Sequence, residues 1–283
     1  MHGRDKTMPQ PKTDKSGQIQ PRSNKANTLV TLVDQMAPQI ARALPKHMTP
    51  DRMARVVLTA LRINPQLAQT TRESFAGCIM SCAQLGLEPN TPLGQAYLIP
   101  RKNKKLGTLE CTMIIGYQGY VDLAHRAHCQ VTAEAVREGD LFEYGMGLNP
   151  YLNHVPSDLG DREDKPITHA YAIARPQGMP PFFKVLSRAQ IEARRKRGGN
   201  RSYSPWDTDY EAMACKCSVR AMSRFLPKSV EISQALAIDI AAETERPQST
   251  IWAPQVVDAL EQEGLVDADG VVIEEPGAVL DDE

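Results

Sequence analysis

Two pairs of β-prone runs interrupt a chain whose other apolar positions recur every three or four residues. The first pair covers 95–100 and 109–115, on either side of a short polar tip that contains Asn and Gly. The second pair covers 167–175 and 181–186, with a turn of Pro, Gln, Gly and Met between them. Runs of this kind around such turns are typical of antiparallel hairpins. The pattern therefore predicts two β-hairpins.

Helical spacing of apolar residues predicts helices over much of the remaining chain. The predicted helices are 29–43 with a break at Pro38, one that begins at Thr49 and Pro50, 72–85, 120–127, one capped by Ser187, 207–225 and 230–242. Strands are predicted at 130–136 and 142–144, and residues 149–165 are predicted to be a polar loop. The fold class is therefore α+β: a twisted, mainly antiparallel sheet built from two β-hairpins, packed by several helices, with flexible termini.

Composition divides the 283 residues into a core and two unlike ends. Residues 1–28 are rich in Pro, Gln, Lys and Ser, bury too little apolar surface to order themselves, and are predicted to be a flexible basic arm. Residues 29–242 form the predicted core domain. Residues 243–283 form an acidic extension, with a linker at 244–250 and one short helix at 250–264 whose Val256, Val257 and Leu260 are predicted to face inward.

Charge is distributed unevenly although the formal net charge is only −1. Residues 239–283 hold one Lys or Arg against thirteen Asp or Glu, whereas residues 31–238 hold 26 against 19. This asymmetry suggests a core that binds a polyanion, with an acidic tail that competes for the core or recruits a partner. An ordinary solvated surface remains the alternative.

Several function classes are disfavoured by what the sequence lacks. No run approaches the length of a membrane span and the N-terminus has no apolar signal-peptide core. The six cysteines lie mostly in apolar or helical segments, which favours free thiols in a reducing compartment. A Walker-type loop, GxSxG and HExxH are all missing, so ATP-driven or hydrolytic chemistry is disfavoured.

Carboxylates in the polar loop leave one enzymatic alternative open. Asp158, Asp161, Glu163 and Asp164 could bind a divalent metal with His154 or His169, which would suit a metal-dependent nuclease. An exposed acidic loop is the competing interpretation. His125, His128 and Cys129 also imitate a metal cluster, but a second half with ligand spacing is missing, so core or surface residues are favoured.

Candidate polyanion contacts begin at the tip of the first hairpin. Four cations gathered at one tip repel one another, and a bound polyanion would relieve that repulsion; a solubilising sheet edge is the competing explanation. Gly116 and Gly119 then open a helix, where glycines admit a ligand backbone and free N–H groups bind anions. The residues proposed here are Arg101, Lys102, Lys104, Lys105, Tyr117, which could stack on a base or close the core, and Gln118.

Two further basic clusters follow. The helix dipole explains one or two cations at the end of the helix that Ser187 caps, worth ~0.3–1 kcal/mol each, but not five within eight positions. These residues are Arg194, Arg195, Lys196, Arg197 and Arg201. Lys216, Arg220 and Arg224 recur at every fourth position of the long helix, where like charges repel unless an anion or nearby acidic residues offset them.

Several motifs in order resemble the RecT family of phage single-strand annealing proteins. They are LGLEP at 85–89 followed by LG and YL-x-P, IIGYQGYVDLAHR at 114–126, VREGD at 136–140, PITHAYAIAR at 166–175, and PW at 205–206 ahead of MA-x-K. The likeness covers about 85–227, with a weaker fit back to 29. Arg126 and Trp206 lie in these motifs and complete the candidate DNA-binding set. This chain departs from the family at Cys215 and Ala221, where many relatives have Lys or Arg, and at Gln118, where some have Arg.

The resemblance implies an activity without ATP and without catalytic residues. Such a protein coats single-stranded DNA as a ring or helical filament and anneals complementary strands through an annealed duplex intermediate. It implies a phage or prophage protein in a bacterial cytoplasm, with a partner exonuclease and a host single-strand-binding protein. A helix from 29–85 would touch the neighbouring subunit. No cofactor is expected, with Mg²⁺ left open as a modulator of DNA binding. Nuclease activity, or a scaffold for an acidic partner, are the alternatives.

Overall fold

A computed structural model describes residues 24–262, except 105, 159, 198–204, 224, 227–228, 245 and 253. Most of the predicted basic arm and the last part of the acidic extension lie outside these residues. Among the described helices, none is long and apolar enough to cross a membrane.

Helices form where the apolar spacing predicts them. They are α1 (Asn24–Gln35), α2 (Ala37–Ala43), α3 (Pro50–Ile63), α4 (Arg72–Leu85), α5 (Tyr117–Arg126), α6 (Arg188–Arg197), α7 (Pro205–Thr208), α8 (Tyr210–Ser223), α9 (Val230–Glu243) and α10 (Pro254–Gln262). The break between α1 and α2 falls at Met36, because Pro38 lies in the first turn of α2. The hydroxyl of Thr49 accepts from the Arg52 N–H and caps α3.

One predicted helix is divided. Residues 207–225 were expected to form a continuous helix, but α7 ends at Thr208 and α8 begins at Tyr210. The carboxylate of Asp209 accepts from the Ala212 N–H at 3.0 Å, so this residue caps the start of α8. The cap at Asp209 therefore starts a new helix within the apolar pattern. That helix, α8, ends at Ser223, two residues earlier than predicted.

The strands form three antiparallel sheets. They are β1 (Ala96–Lys102), β2 (Leu109–Ile115), β3 (Cys129–Arg137), β4 (Leu141–Gly145), β5 (Tyr151–Val155), β6 (Ile167–Pro176) and β7 (Phe182–Ser187). Strand β1 pairs with β2, β4 pairs with β5, and β6 lies between β3 and β7. The α+β class and both predicted hairpins, β1–β2 and β6–β7, are confirmed, but the two hairpins belong to different sheets.

Strand β5 corrects the expectation of a polar loop over 149–165. Its alternate side chains Leu152 and His154 are half-buried while Tyr151, Asn153 and Val155 are exposed. His154 pairs in register with Phe142 on β4 and contacts its ring edge-on at 5.6 Å between centroids. A histidine and an asparagine made this strand look polar in sequence, and only the partner strand shows which face is covered.

Small side chains allow α8 to lie directly on the three-stranded sheet. Ala170, Ala172 and Ala174 of β6 are fully buried, and α8 packs on this strand and on β3. Strand β3 contributes Ala135 to the same contact, beside Cys215 of α8. The described cysteines are all buried free thiols, as predicted.

The beginning of the acidic extension packs into the core. Gln248 and Leu260 are buried, and Trp252 and Val257 pack against the same cluster as α4 and β2. Residues 248–251 form a short 3-10 turn where a linker was expected. The predicted helix is present as α10, and the inward positions predicted for Val257 and Leu260 are observed; the side chain of Val256 lies outside the described part.

The base of the β4–β5 hairpin is held by the buried carboxylate of Asp140. Arg162 donates to both of its oxygens at 2.8 Å, the N–H groups of Arg137 and Ser157 donate at 2.8 and 2.9 Å, and His154 Nε2 lies at 3.1 Å. The hydrogen bond from Arg162 is the largest of the causes that hold the pKa of Asp140 well below its ordinary value of 3.8. The ionised form is therefore the one that stabilises the fold.

We expect Asp140→Asn to destabilise the protein by about 3 kcal/mol at neutral pH, because Arg162 keeps its charge without a carboxylate. A depressed pKa means that this stabilisation is complete above the ordinary value of 3.8 and is lost as the pH falls towards the folded-state pKa. Urea unfolding at neutral pH and at about pH 3 should therefore show a smaller difference in the acidic sample.

The matched control is Asp158→Asn, which makes the same chemical change on an exposed side chain. It should alter stability by less than about 0.5 kcal/mol at either pH. A difference for Asp140→Asn that grows on acidification would contradict the assignment.

Candidate nucleic-acid interface

The tip of the β1–β2 hairpin is ordered by its own backbone. The Asn103 N–H donates to the Thr108 carbonyl at 2.8 Å, and the Gly107 N–H donates to the Asn103 carbonyl at 2.9 Å. Gly107 adopts a φ of 71°, a left-handed conformation that glycine tolerates without strain. Lys102 and Lys104 are exposed here, and Lys105 lies outside the described residues. Two exposed cations therefore lie on a turn that backbone hydrogen bonds hold together.

Arg101 differs from its neighbours because its guanidinium turns towards the core. It is partly buried and donates from Nη1 to the carbonyl of Ala242, near the C-terminal end of α9. The last carbonyls of a helix have no partner within the helix, so this contact satisfies one of them. Arg101 therefore ties the hairpin to α9, and its proposed DNA contact stays a prediction.

Gly116 and Gly119 have a different role from the one predicted. Helix α5 begins at Tyr117, not at Tyr120, and Gly116 is its N-cap. A Cβ on Gly116 would lie 1.9 Å from the Gly94 carbonyl oxygen, and one on Gly119 would lie 2.3 Å from that of Gln95. These glycines admit the protein's own backbone before β1. The close approach predicted from the glycines exists, but it is intramolecular.

A polar and aromatic surface lies at the start of α5. Gln118 is exposed and donates from Nε2 to the Tyr117 hydroxyl at 2.6 Å. Burial is the main cause that raises the pKa of Tyr117, whose ring is partly covered. Tyr97 is 41% exposed, and its ring stands beside Gly94 and Gly116. Tyr97 was missed in the sequence, although Ala96 and Leu98 are buried on either side of it, the alternation that turns its side chain outwards.

Arg126, at the end of α5, is engaged in structural contacts. Its Nη2 donates to the carbonyl of Leu85 at 2.7 Å and pairs with Asp122 at 2.9 Å. Leu85 is the last residue of α4, so Arg126 satisfies a helix-end carbonyl much as Arg101 does. Its role towards DNA stays a prediction.

The cations of α6 are in several different environments. Arg194 donates to the carbonyl of Gln190 at 3.0 Å, Arg195 pairs with Asp207 at 2.6 Å, and Lys196 is exposed. The side chain of Arg197, and all of Arg201, lie outside the described part. Trp206 is partly buried against Tyr210, with ring centroids 5.7 Å apart.

On α8, two candidate cations face a buried carboxylate of α9. Lys216 Nζ lies 3.1 Å from Asp239 Oδ1, and Arg220 Nη1 lies 3.4 Å from Oδ2 and also pairs with Glu243. The side chain of Asp239 is 1% exposed and that of Lys216 is 11% exposed. The repulsion predicted along this helix is thus offset by acidic residues of the protein itself. Arg224 lies outside the described residues.

The side chains that the nuclease alternative requires do not form a metal site. Some of them are engaged in hydrogen bonds or ion pairs within the fold. His154 contacts Asp140 and the Tyr171 hydroxyl, and Asp161 pairs with Lys165 at 2.7 Å. Within the described ranges, no group of three or more His, Cys, Asp or Glu side chains could hold a metal ion. His125, His128 and Cys129 instead line an open cavity of about 480 Å³ together with Gln130, Arg175 and Gln177.

The ion pair between α8 and α9 gives a test that separates folding from binding. Asp239→Leu should cost about 3–5 kcal/mol of unfolding free energy, because it leaves the largely buried Lys216 without its carboxylate and Arg220 with Glu243 alone. Lys216→Met should cost less, since Arg220 still pairs with Asp239. The double variant, Asp239→Leu with Lys216→Met, should be more stable than the sum of the two single effects predicts, as measured by urea unfolding.

DNA affinity of Lys216→Met, compared with that of the double variant, then tests whether Lys216 also contacts DNA. Weaker binding of a single-stranded oligonucleotide would add a DNA contact to its structural role. Unchanged binding would restrict Lys216 to the α8–α9 interface, and strictly additive stability effects would contradict the coupling itself.

Comparison with known proteins agrees with the family predicted from the motifs. The sequence pattern of the RecT family matches residues 51–251, from α3 to the turn before α10. The chain is 41% identical over 229 residues to Protein RecT of Escherichia coli (strain K12), covering 79% of this chain and 84% of that protein. The chain therefore belongs to the RecT family of DNA-binding recombination and annealing proteins.

Proposed function

We propose that this protein binds single-stranded DNA without sequence preference and anneals complementary strands in phage-type homologous recombination, without ATP. The observation that carries the proposal is the β1–β2 hairpin, where Lys102 and Lys104 are exposed at the tip and Tyr97 is exposed near the start of β1. Exposed cations and an exposed aromatic side chain on one hairpin suit contacts to a phosphate backbone and to a stacked base.

Phosphate contacts explain how such a surface would promote annealing. Lys102, Lys104 and Lys196 would neutralise the backbone of one strand and so lower its repulsion of a second strand. Base edges remain free to pair, because phosphate contacts carry no sequence information. Base pairing then supplies the specificity, and binding should weaken as salt increases.

The remaining features of the proposal concern assembly and setting. One core is too small to align long strands, so subunits would lie side by side on DNA as a ring or helical filament. A helix of the 29–85 region would contact the neighbouring subunit. A partner exonuclease would expose the single strands, a host single-strand-binding protein would occupy them, and the bacterial cytoplasm would be the setting. The acidic tail would compete with DNA or recruit one of these partners.

Annealing of two complementary oligonucleotides, followed by fluorescence without nucleotide, tests the proposal. The wild-type chain should accelerate annealing at low salt and lose that effect at high salt. The paired change Lys102→Gln with Lys104→Gln should weaken strand binding and reduce the salt slope by about 0.7 for each phosphate that is no longer neutralised. Changing exposed cations elsewhere, Arg175→Gln with Arg188→Gln, should leave both quantities near wild type.

Three results would contradict the proposal in different ways. Annealing that survives the hairpin changes would keep the function and refute the site. Cleavage of labelled DNA in Mg²⁺ or Mn²⁺ would favour the nuclease. Failure to bind an oligonucleotide at low salt would favour a scaffold for an acidic protein.

Tyr97 gives a second, independent prediction. We expect Tyr97→Leu to weaken single-strand binding by at least about 1 kcal/mol, because a leucine side chain cannot stack on a base. Fluorescence anisotropy of a labelled oligonucleotide measures the change. The control is Tyr151→Leu on β5, whose side chain is 58% exposed and lies outside the proposed surface. Equal losses in both variants would refute a specific role for Tyr97.

A further inference from the structure

The β1–β2 hairpin is closed on both outer edges by side-chain amides at the same rung. Leu98 and Met113 pair across the hairpin. On the β1 side, the Leu98 N–H donates to Asn90 Oδ1 at 2.8 Å and its carbonyl accepts from Asn90 Nδ2 at 3.4 Å. On the β2 side, the Met113 N–H donates to Gln248 Oε1 at 2.8 Å and its carbonyl accepts from Gln248 Nε2 at 2.7 Å.

Each amide therefore makes the pair of hydrogen bonds that a neighbouring strand would make. An open strand edge presents unpaired N–H and carbonyl groups that invite other chains. Asn90 comes from the loop directly before β1, whereas Gln248 comes from 135 residues beyond Met113. The β2 edge is thus closed at Met113 by the far end of the chain, and at Leu109 and Cys111 by Thr71 and Ser74 at the start of α4.

Gln248 belongs to a segment with further anchors, which we call the C-terminal strap and define as residues 246–262. Gln248 Nε2 also donates to the carbonyl of Ile238 on α9 at 3.1 Å. Trp252 lies so close to Gly77 of α4 that a Cβ there would be 2.2 Å from its Cζ2. Leu260 is fully buried. The strap is consequently fixed to α4, α9 and β2 together.

We propose that the C-terminal strap positions the basic hairpin for DNA, with Gln248 as the positioning residue. In the described part of the chain the hairpin is a two-stranded sheet, extended only by a single bridge between Ala96 and Pro89, and a two-stranded hairpin is marginally stable by itself. Gln248 holds β2 at Met113, while Arg101 holds β1 to Ala242, just before the strap. Loosening the strap would remove the contacts at Met113 and leave β2 bonded to Thr71 and Ser74 at Leu109 and Cys111, so the hairpin would be less ordered and DNA would have to order it again.

This inference rests on the proposed function for its DNA part and on hydrogen bonds alone for its structural part. Hydrogen–deuterium exchange of peptides containing Met113, read by mass spectrometry on the full chain, tests the structural part. Gln248→Ala should make the Met113 amide exchange about tenfold faster, because one hydrogen bond is lost and the edge opens. The Leu98 amide, bonded to Asn90, is an internal reference and should change much less.

A second variant reaches the strap from the opposite side. Alanine normally favours a helix over glycine, so Gly77→Ala would stabilise α4 if nothing lay against it. Because a methyl group there collides with Trp252, we expect faster exchange at Met113 in this variant as well. Gly160→Ala, where a Cβ would have nothing within 4 Å, is the matched control.

The DNA part is tested by the affinity of the same full-length variants for a labelled single strand. Gln248→Ala should bind about three- to tenfold more weakly although every cation is retained, because binding must order the hairpin. Gln234→Ala removes another buried-face amide contact, that of Gln234 Nε2 with Gln84 Oε1 at 3.0 Å, without touching β2. This control should keep wild-type exchange at Met113 and wild-type affinity.

The outcomes distinguish the strap from the proposed function. Unchanged Met113 exchange in both Gln248→Ala and Gly77→Ala overturns the strap. Faster exchange with wild-type affinity overturns its positioning role for DNA. A wild-type chain that binds no single-stranded DNA overturns the proposed function, and the DNA role of the strap with it.

Discussion

A single buried carboxylate governs how the two halves of the core meet. Asp239 is nearly inaccessible to water, and an ionised carboxylate without partners in such a site would cost several kcal/mol. Lys216 and Arg220 supply the opposite charge, so ion pairs join α8 to α9 at this point. Helix α8 carries the three-stranded sheet on another side, while α9 packs against β2 and offers Ala242 to Arg101. The pair therefore fixes the sheet and the basic hairpin relative to each other.

Six of the candidate DNA-binding cations fall into two groups. Arg101, Arg126 and Arg220 have partners within the fold, and two of the three satisfy carbonyl groups at the ends of helices. Lys102, Lys104 and Lys196 are exposed. Arginine suits the first group because its planar guanidinium can make several directed hydrogen bonds from a half-buried position. Lysine suits the second, since a mobile point charge can follow a phosphate backbone of any sequence.

Much of the fold can be predicted from local sequence patterns. Particular residues show which features these patterns do not predict. The start of α3 at Thr49 and Pro50, and the hairpin β6–β7, depend on caps and alternation that neighbouring residues create. Strand β5 was missed because His154 is polar by itself and becomes covered only through Phe142, Tyr171 and Asp140. The role of Gly116 was misjudged for a similar reason. A glycine is needed there because the carbonyl of Gly94, in the loop before β1, comes too close for a side chain, and that contact is not visible in the sequence. The contact of Gln248 with β2 could not be predicted, because a glutamine in a polar stretch has the same sequence pattern whether or not it bonds to a strand edge.

The sequence by itself determined the helices and hairpins, the segregation of charge, the free thiols and the family, because each depends on residue type and spacing along the chain. Only the tertiary structure decided which cations are paired, which glycines serve the protein's own backbone, and which segment closes the β2 edge. The physical reason is desolvation: whether Lys216 costs or contributes free energy depends on how far Asp239 is from it in space, not on how many residues separate them. The sequence around residues 216 and 239 does not indicate that they pair; the pairing exists only in the folded arrangement of α8 and α9.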